Sequence, residues 1–171
     1  SNKPNYTDDF ALILTRKIEE KGWLIGSKNK GYVRFMTPAI EELILYYKKA
    51  NGWPNKEAFL FELEFGTKKR ISFRSCVSEP IDYYDYDDRI VEILNELEGA
   101  KEKLGAKWKC HFSKMIKWDL DKVMSDWNDK YEKTLDNFIN DIEPTILKVE
   151  AQLLKYKEEL IELKKGIDKN E

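Results

Sequence analysis

Between Ala58 and Val77 the chain reads AFLFELEFGTKKRISFRSCV, two alternating runs on either side of a glycine turn, and this predicts a β-hairpin. Phe59, Phe61, Leu63 and Phe65 share one face, with Leu60, Glu62 and Glu64 on the other; past the turn, Ile71, Phe73 and Val77 alternate with Ser72, Arg74 and Cys76. Matching the apolar faces sets Phe65 opposite Ile71, Leu63 opposite Phe73 and Glu62 opposite Arg74, and leaves Gly66 to Arg70 as the loop. A lone hairpin is marginal in water, so helices must cover its aromatic face.

The flanking sequence supplies them. Thr7-Asp8-Asp9 offers a cap for a stripe of Phe10, Ile13, Leu14 and Ile18, and Gly22 a stop. Trp23, Leu24 and Ile25 are expected beneath this first helix, then a polar turn over 27–31 and a strand at 32–36. Thr37-Pro38 caps a helix with face Ile40, Leu43, Ile44 and Tyr47, ended by Asn51-Gly52. After a loop rich in tyrosine and aspartate, Asp87 is expected to cap a helix carrying Ile90, Ile93, Leu94, Leu97 and Leu104. Strict alternation over 106–113 gives another strand, with Lys107, Lys109, His111 and Ser113 as a basic wet face. From Asp119 onward the period is helical, with an interruption at Pro144. Beyond it Ile146, Val149, Leu153, Tyr156, Leu160 and Leu163 form a narrow heptad seam, which suits a coiled-coil homodimer or packing on the helix expected over 119–142 or on the sheet. Glu159 and Lys164 stand where they could pair across such a coil.

The expected fold is therefore α+β: a small, mainly antiparallel sheet (hairpin 58–77 plus strands near 32–36 and 106–113) covered by helices. The chain divides into an α+β domain over 1–118 and a long helical arm over 119–171, broken or kinked near Pro144.

Charge narrows the function. Thirty Lys and Arg against thirty-two Asp and Glu leave a net charge of −2, so no global field favours nucleic acid and any basic site must be a local patch. Candidates for such a nucleic-acid or partner contact are Arg34, Lys68, Lys69, Arg70, Arg74, Lys107, Lys109 and His111. Glu62 and Glu64 have a spacing that can hold a metal or serve acid/base chemistry, although cross-strand pairing with Arg74 and lysine side chains is the expected reason for them. No catalytic residue and no cofactor is assigned: no glycine-rich phosphate cradle follows a strand, and the single histidine has no recognisable nucleophile beside it. Cys76 and Cys110, far apart on alternating runs, are expected to be reduced, which points to the cytoplasm. No apolar run approaches the ~20 residues of a membrane span. The opening Ser1-Asn2, without Met, leads us to expect a piece of a longer protein.

The segment order, with RFMTP at 34–38 opening a helix, FELEF and RISFRSCV ending in Glu79-Pro80, Arg89 leading a helix, Trp108 and Phe112 on a strand and a helical tail, resembles the C-terminal accessory region of some PD-(D/E)XK nuclease superfamily proteins of bacteria and phages. The resemblance spans about residues 30–150. It implies a non-catalytic accessory or interaction domain that binds nucleic acid or a protein partner. The superfamily's Glu-x-Lys is matched by Glu19-Glu20-Lys21 and Glu162-Leu163-Lys164 only on predicted helices, so no catalytic residue carries over. The alternatives are a structural oligomerisation module acting through the arm, and a small metal-dependent enzyme using Glu62 and Glu64.

Overall fold

A computed structural model of the chain describes residues 4–79, 85–101 and 108–170. The hairpin forms where the alternation places it, as β3 (Phe59–Glu64) and β4 (Arg70–Val77), with Leu63 opposite Phe73 and Glu62 opposite Arg74. Together with β1 (Leu24–Asn29), β2 (Tyr32–Met36) and β5 (Lys109–Lys117) it makes a five-stranded antiparallel sheet in the order β1-β2-β3-β4-β5. The fold is α+β.

β1 was not expected as a strand. Its Gly26-Ser27-Lys28-Asn29 carries no apolar alternation, and what holds it is backbone pairing with β2, interrupted by a bulge between Ile25 and Lys28. The turn that follows is tight for a steric reason: a Cβ on Gly31 would lie 3.0 Å from Cα of Gly66, so the β1–β2 and β3–β4 turns meet backbone to backbone, and Phe65 N–H donates to the Gly31 carbonyl at 2.8 Å.

The aromatic face carries the core. Phe35, Phe61 and Phe73 follow one another across β2, β3 and β4, with centroids 5.6 and 5.9 Å apart. Helix α1 (Tyr6–Glu20) lies against β1 and β2, and its Phe10 meets Phe65 edge-on at 5.1 Å. Its cap is Asn5, whose Oδ1 accepts from Asp8 N–H, so Asp8 and Asp9 occupy the first turn, where their charge favours the helix dipole. Trp23 stacks on Phe35.

Helix α2 (Pro38–Leu43) starts as expected, with Thr37 Oγ1 accepting from Ile40 N–H at 3.2 Å. It does not run to Asn51. Leu43, Ile44 and Leu45 are all fully buried, and no single helix face can bury three successive residues. The chain turns extended at Ile44 instead, and 44–58 becomes a strap: Tyr47 N–H donates to Lys56 O at 2.8 Å and Ala58 N–H to Leu45 O at 2.9 Å.

Helix α3 (Tyr86–Asn95) is not capped by Asp87. The cap position is Asp85, and Asp87 lies in the buried first turn. Leu104, Lys107 and the tract 80–84 fall outside the described residues. In β5 a bulge places His111 and Phe112 opposite Ser75 alone, since Cys76 pairs with Cys110 and Arg74 with Ser113. That one-residue slip breaks the expected wet face: His111 is buried, and Lys109 sits across from Val77 on the aromatic side. Cys76 and Cys110, distant in sequence, are reduced thiols in contact, with Sγ atoms 3.4 Å apart.

The helical region is three helices: α4 (Leu120–Ser125), α5 (Asp129–Lys155) and α6 (Lys157–Asn170). α5 passes through Pro144 without a break. Pro144 and Asn140 are both exposed, so the carbonyl that the proline leaves without a donor can be hydrated. The helical break comes at Tyr156 instead. Leu135, Phe138, Ile139 and Ile142 continue into the seam residues Ile146, Val149 and Leu153, and α5 packs on α2, α3 and β5 while α6 packs on α2 and α3. Ile146, Val149, Leu153 and Leu160 are fully buried within one copy, and Tyr156 and Leu163 pack on the same core. The seam is thus covered by the chain's own helices and is not free to zip a second copy. Glu159 pairs with Arg89 of α3, whose guanidinium lies over the Tyr156 ring, and buried Gln152 donates to the Ile93 carbonyl at 2.9 Å. No helix among the described residues is long and apolar enough to cross a membrane.

Candidate functional site

The sheet register lines up polar side chains on the face opposite the phenylalanines. Arg34, Glu62, Arg74 and Ser113 form one row across β2 to β5, and Tyr32, Glu64, Ser72 and Met115 the next. Glu62, only 8% exposed, uses both oxygens: Oε2 accepts from Arg34 Nε at 2.9 Å, and Oε1 lies 3.1 Å from Arg74 Nη2. Glu64 stands 3.9 Å from the same Arg74 nitrogen and accepts from Gly66 N–H at 2.9 Å. The Arg34 guanidinium lies 4.1 Å from the Tyr32 ring centroid and 5.6 Å from that of Trp53 in the strap. Glu62 and Glu64 therefore belong to an ion-pair ladder, and among the described residues no group of three or more His, Cys, Asp or Glu comes together as a metal site.

The basic candidates are not assembled into one patch. Arg34 and Arg74 are held by Glu62. At the hairpin tip Lys68 is 3.9 Å from Asp121 and Lys69 3.5 Å from Asp119, while Arg70 is exposed. His111 is buried, Lys109 is on the other side of the sheet, and Lys107 lies outside the described residues.

Two buried carboxylates lie at either end of the strap; the sequence marks Asp87 only as a helix cap and does not mark Glu57. Asp87 accepts from Tyr47 Oη at 2.6 Å and from Ser78 Oγ at 2.5 Å, tying α3 to the strap and to the end of β4. Burial pushes its carboxyl up to about 7 against the pull of those hydrogen bonds. The folded chain consequently keeps a proton that the unfolded chain releases, so this group's contribution to stability falls as pH rises from about 4 to about 7, by at most ~4 kcal/mol. In urea melts, Asp87→Asn is expected to lose that component: the stability difference between wild type and variant should shift in favour of the variant from about pH 5 to about pH 8. A difference that stays constant across this range would show that Asp87 is ionised throughout.

At the other end, Glu57 is 3% exposed and its Oε1 has no hydrogen-bond partner among the described residues. It lines a cavity of about 410 Å³ between β1, β2, α2 and the strap. Leu24, Ile25, Met36 and Leu60 supply apolar wall, Glu41 and Tyr46 further polar groups, and no Lys or Arg among the described residues lines it. Burial raises the Glu57 carboxyl, partly offset by its own backbone hydrogen bond and by nearby Arg34. The Tyr46 hydroxyl is pushed up to about 12 by burial and then by the carboxylates of Glu41 and Glu57. Gly26 faces this carboxylate: a Cβ there would stand 3.6 Å from Glu57 Oε2. The one sequence signal for the site is a carboxylate directly before the fully buried start of β3; the cavity itself exists only once the strap has folded back over β1 and β2.

No family model matches the chain, and comparison with curated proteins and with solved structures finds no similar protein.

Proposed function

We propose that this chain is a non-catalytic interaction domain that recognises its partner on the charged face of the sheet, at the end where Glu57 lines the cavity. The observation that supports this best is the distribution of uncompensated charge. Four of the candidate cations face carboxylates, Arg34 and Arg74 on Glu62, Lys68 and Lys69 near Asp121 and Asp119, whereas the cavity presents carboxylates with no Lys or Arg among the described residues lining it. In the nuclease-like setting that the residue pattern resembles, such a domain serves to hold a partner rather than to grip the nucleic acid.

Fluorescence anisotropy with short labelled duplex and single-stranded oligonucleotides at low salt tests this. The expected result is no saturable binding, because few phosphates can be neutralised without first breaking an ion pair. Salt-dependent binding whose slope is flattened by Lys68→Ala, Lys69→Ala and Arg70→Ala would overturn the reading and make the hairpin tip a phosphate-binding site.

A further inference from the structure

We infer that the cavity beside β1 is a binding site for a protonated aliphatic amine, with the Glu57 carboxylate as its charge partner. The inference rests on the interaction-domain reading and names the chemistry of what is recognised. Three features of the cavity converge on this ligand class.

The first is the unpartnered carboxylate oxygen. Buried polar groups almost always have partners, and Glu57 Oε1 has none among the described residues although the residue is buried. Burial makes its charge costly, as the raised carboxyl shows, and an ammonium group brought alongside offsets that cost. Arg34 does not fill this role, since its guanidinium donates to Glu62. The second is the wall composition. Leu24, Ile25, Met36 and Leu60 suit a methylene chain, and Glu41 with Tyr46 adds negative and aromatic character that further favours a cation. About 410 Å³ lies within the usual range for small-ligand pockets and is more than one alkylammonium needs. The third is Gly26. Its missing side chain leaves open the space next to Oε2, and a Cβ there would make only ordinary contacts, 3.5 Å from Arg34 O and 3.6 Å from Glu57 Oε2. The position thus tolerates alanine sterically while controlling access to the carboxylate.

An aliphatic ammonium can be a free amine or a lysine side chain on a protein segment, and titration calorimetry on the full chain separates them. The probes are n-butylamine, cadaverine and N-acetyl-lysine methylamide, with n-pentanol and pentanoate as neutral and anionic controls. The ammonium probes are expected to bind and the controls not, and Glu57→Gln should weaken binding roughly tenfold or more, because a charge-assisted hydrogen bond is lost. Gly26→Ala should weaken it as well, which keeps the test decisive if the Glu57 variant folds poorly. Tighter binding of the lysine amide than of both free amines assigns the site to a protein partner; the reverse order assigns it to a small amine. Pentanol binding as well as butylamine, affinities unchanged in both variants, or no binding of any ammonium probe would overturn the inference. Its failure leaves the interaction-domain reading standing, since that reading falls only to phosphate-directed nucleic-acid binding.

Discussion

Leu153→Glu is expected to abolish the folded state. Leu153 is fully buried with Ile146, Val149 and Leu160, where α5 packs on α2 and α3, and a carboxylate there would be taken out of water among apolar side chains. The milder Leu153→Ala should cost about 2–5 kcal/mol, the range for deleting a buried leucine side chain. Far-ultraviolet circular dichroism and urea melts measure both. A heptad seam used between copies would behave differently: wild type would sediment as a dimer, and the Glu variant would be a folded monomer. Wild type is expected to be a monomer whose fold depends on this seam.

Glu62→Ala is expected to cost about 3–5 kcal/mol, because it leaves the guanidinium groups of Arg34 and Arg74 facing each other in a partly buried site with nothing between them. Glu62→Gln keeps acceptor geometry and should cost less. Replacing all three residues of the row by apolar side chains of similar volume should recover much of the loss, since ion pairs of this kind repay little beyond their own desolvation. A Glu62→Ala variant as stable as wild type would mean that the ladder is solvated surface. A metal-binding role for Glu62 and Glu64 predicts instead that magnesium raises the melting temperature of the wild type and not of the variant.

What the sequence revealed follows a physical division. The hairpin and its register were legible because Phe59, Phe61, Leu63 and Phe73 alternate strictly and one slip would bury Glu62 among phenylalanines. Thr37-Pro38 was legible because capping is local chemistry. β1 was not, since a polar edge strand is held by its neighbour's backbone rather than by its own side chains. The first half of the strap, 44–50, reads as a continuation of the Thr37-Pro38 helix because Ile40, Leu43, Ile44 and Tyr47 fit the helical period, although Leu45 on the supposed wet side is a sign against it. The basic stripe of β5 failed at the bulge opposite Ser75, which alternation cannot show. The seam was seen correctly as a stripe needing cover, but periodicity cannot say whose helix covers it. Glu57 is illegible for a similar reason: its cavity is made by β1, β2, α2, the strap and the start of β3, which meet only in the folded chain.

The most direct test of the cavity as an amine-recognition site is an amide NMR titration of the folded chain with n-butylamine. Recognition at the cavity predicts that shift changes cluster at Leu24, Ile25, Gly26, Tyr46 and Glu57 and spare Gly66 to Arg70 at the hairpin tip. Changes centred on the tip, or none at the cavity, would contradict it.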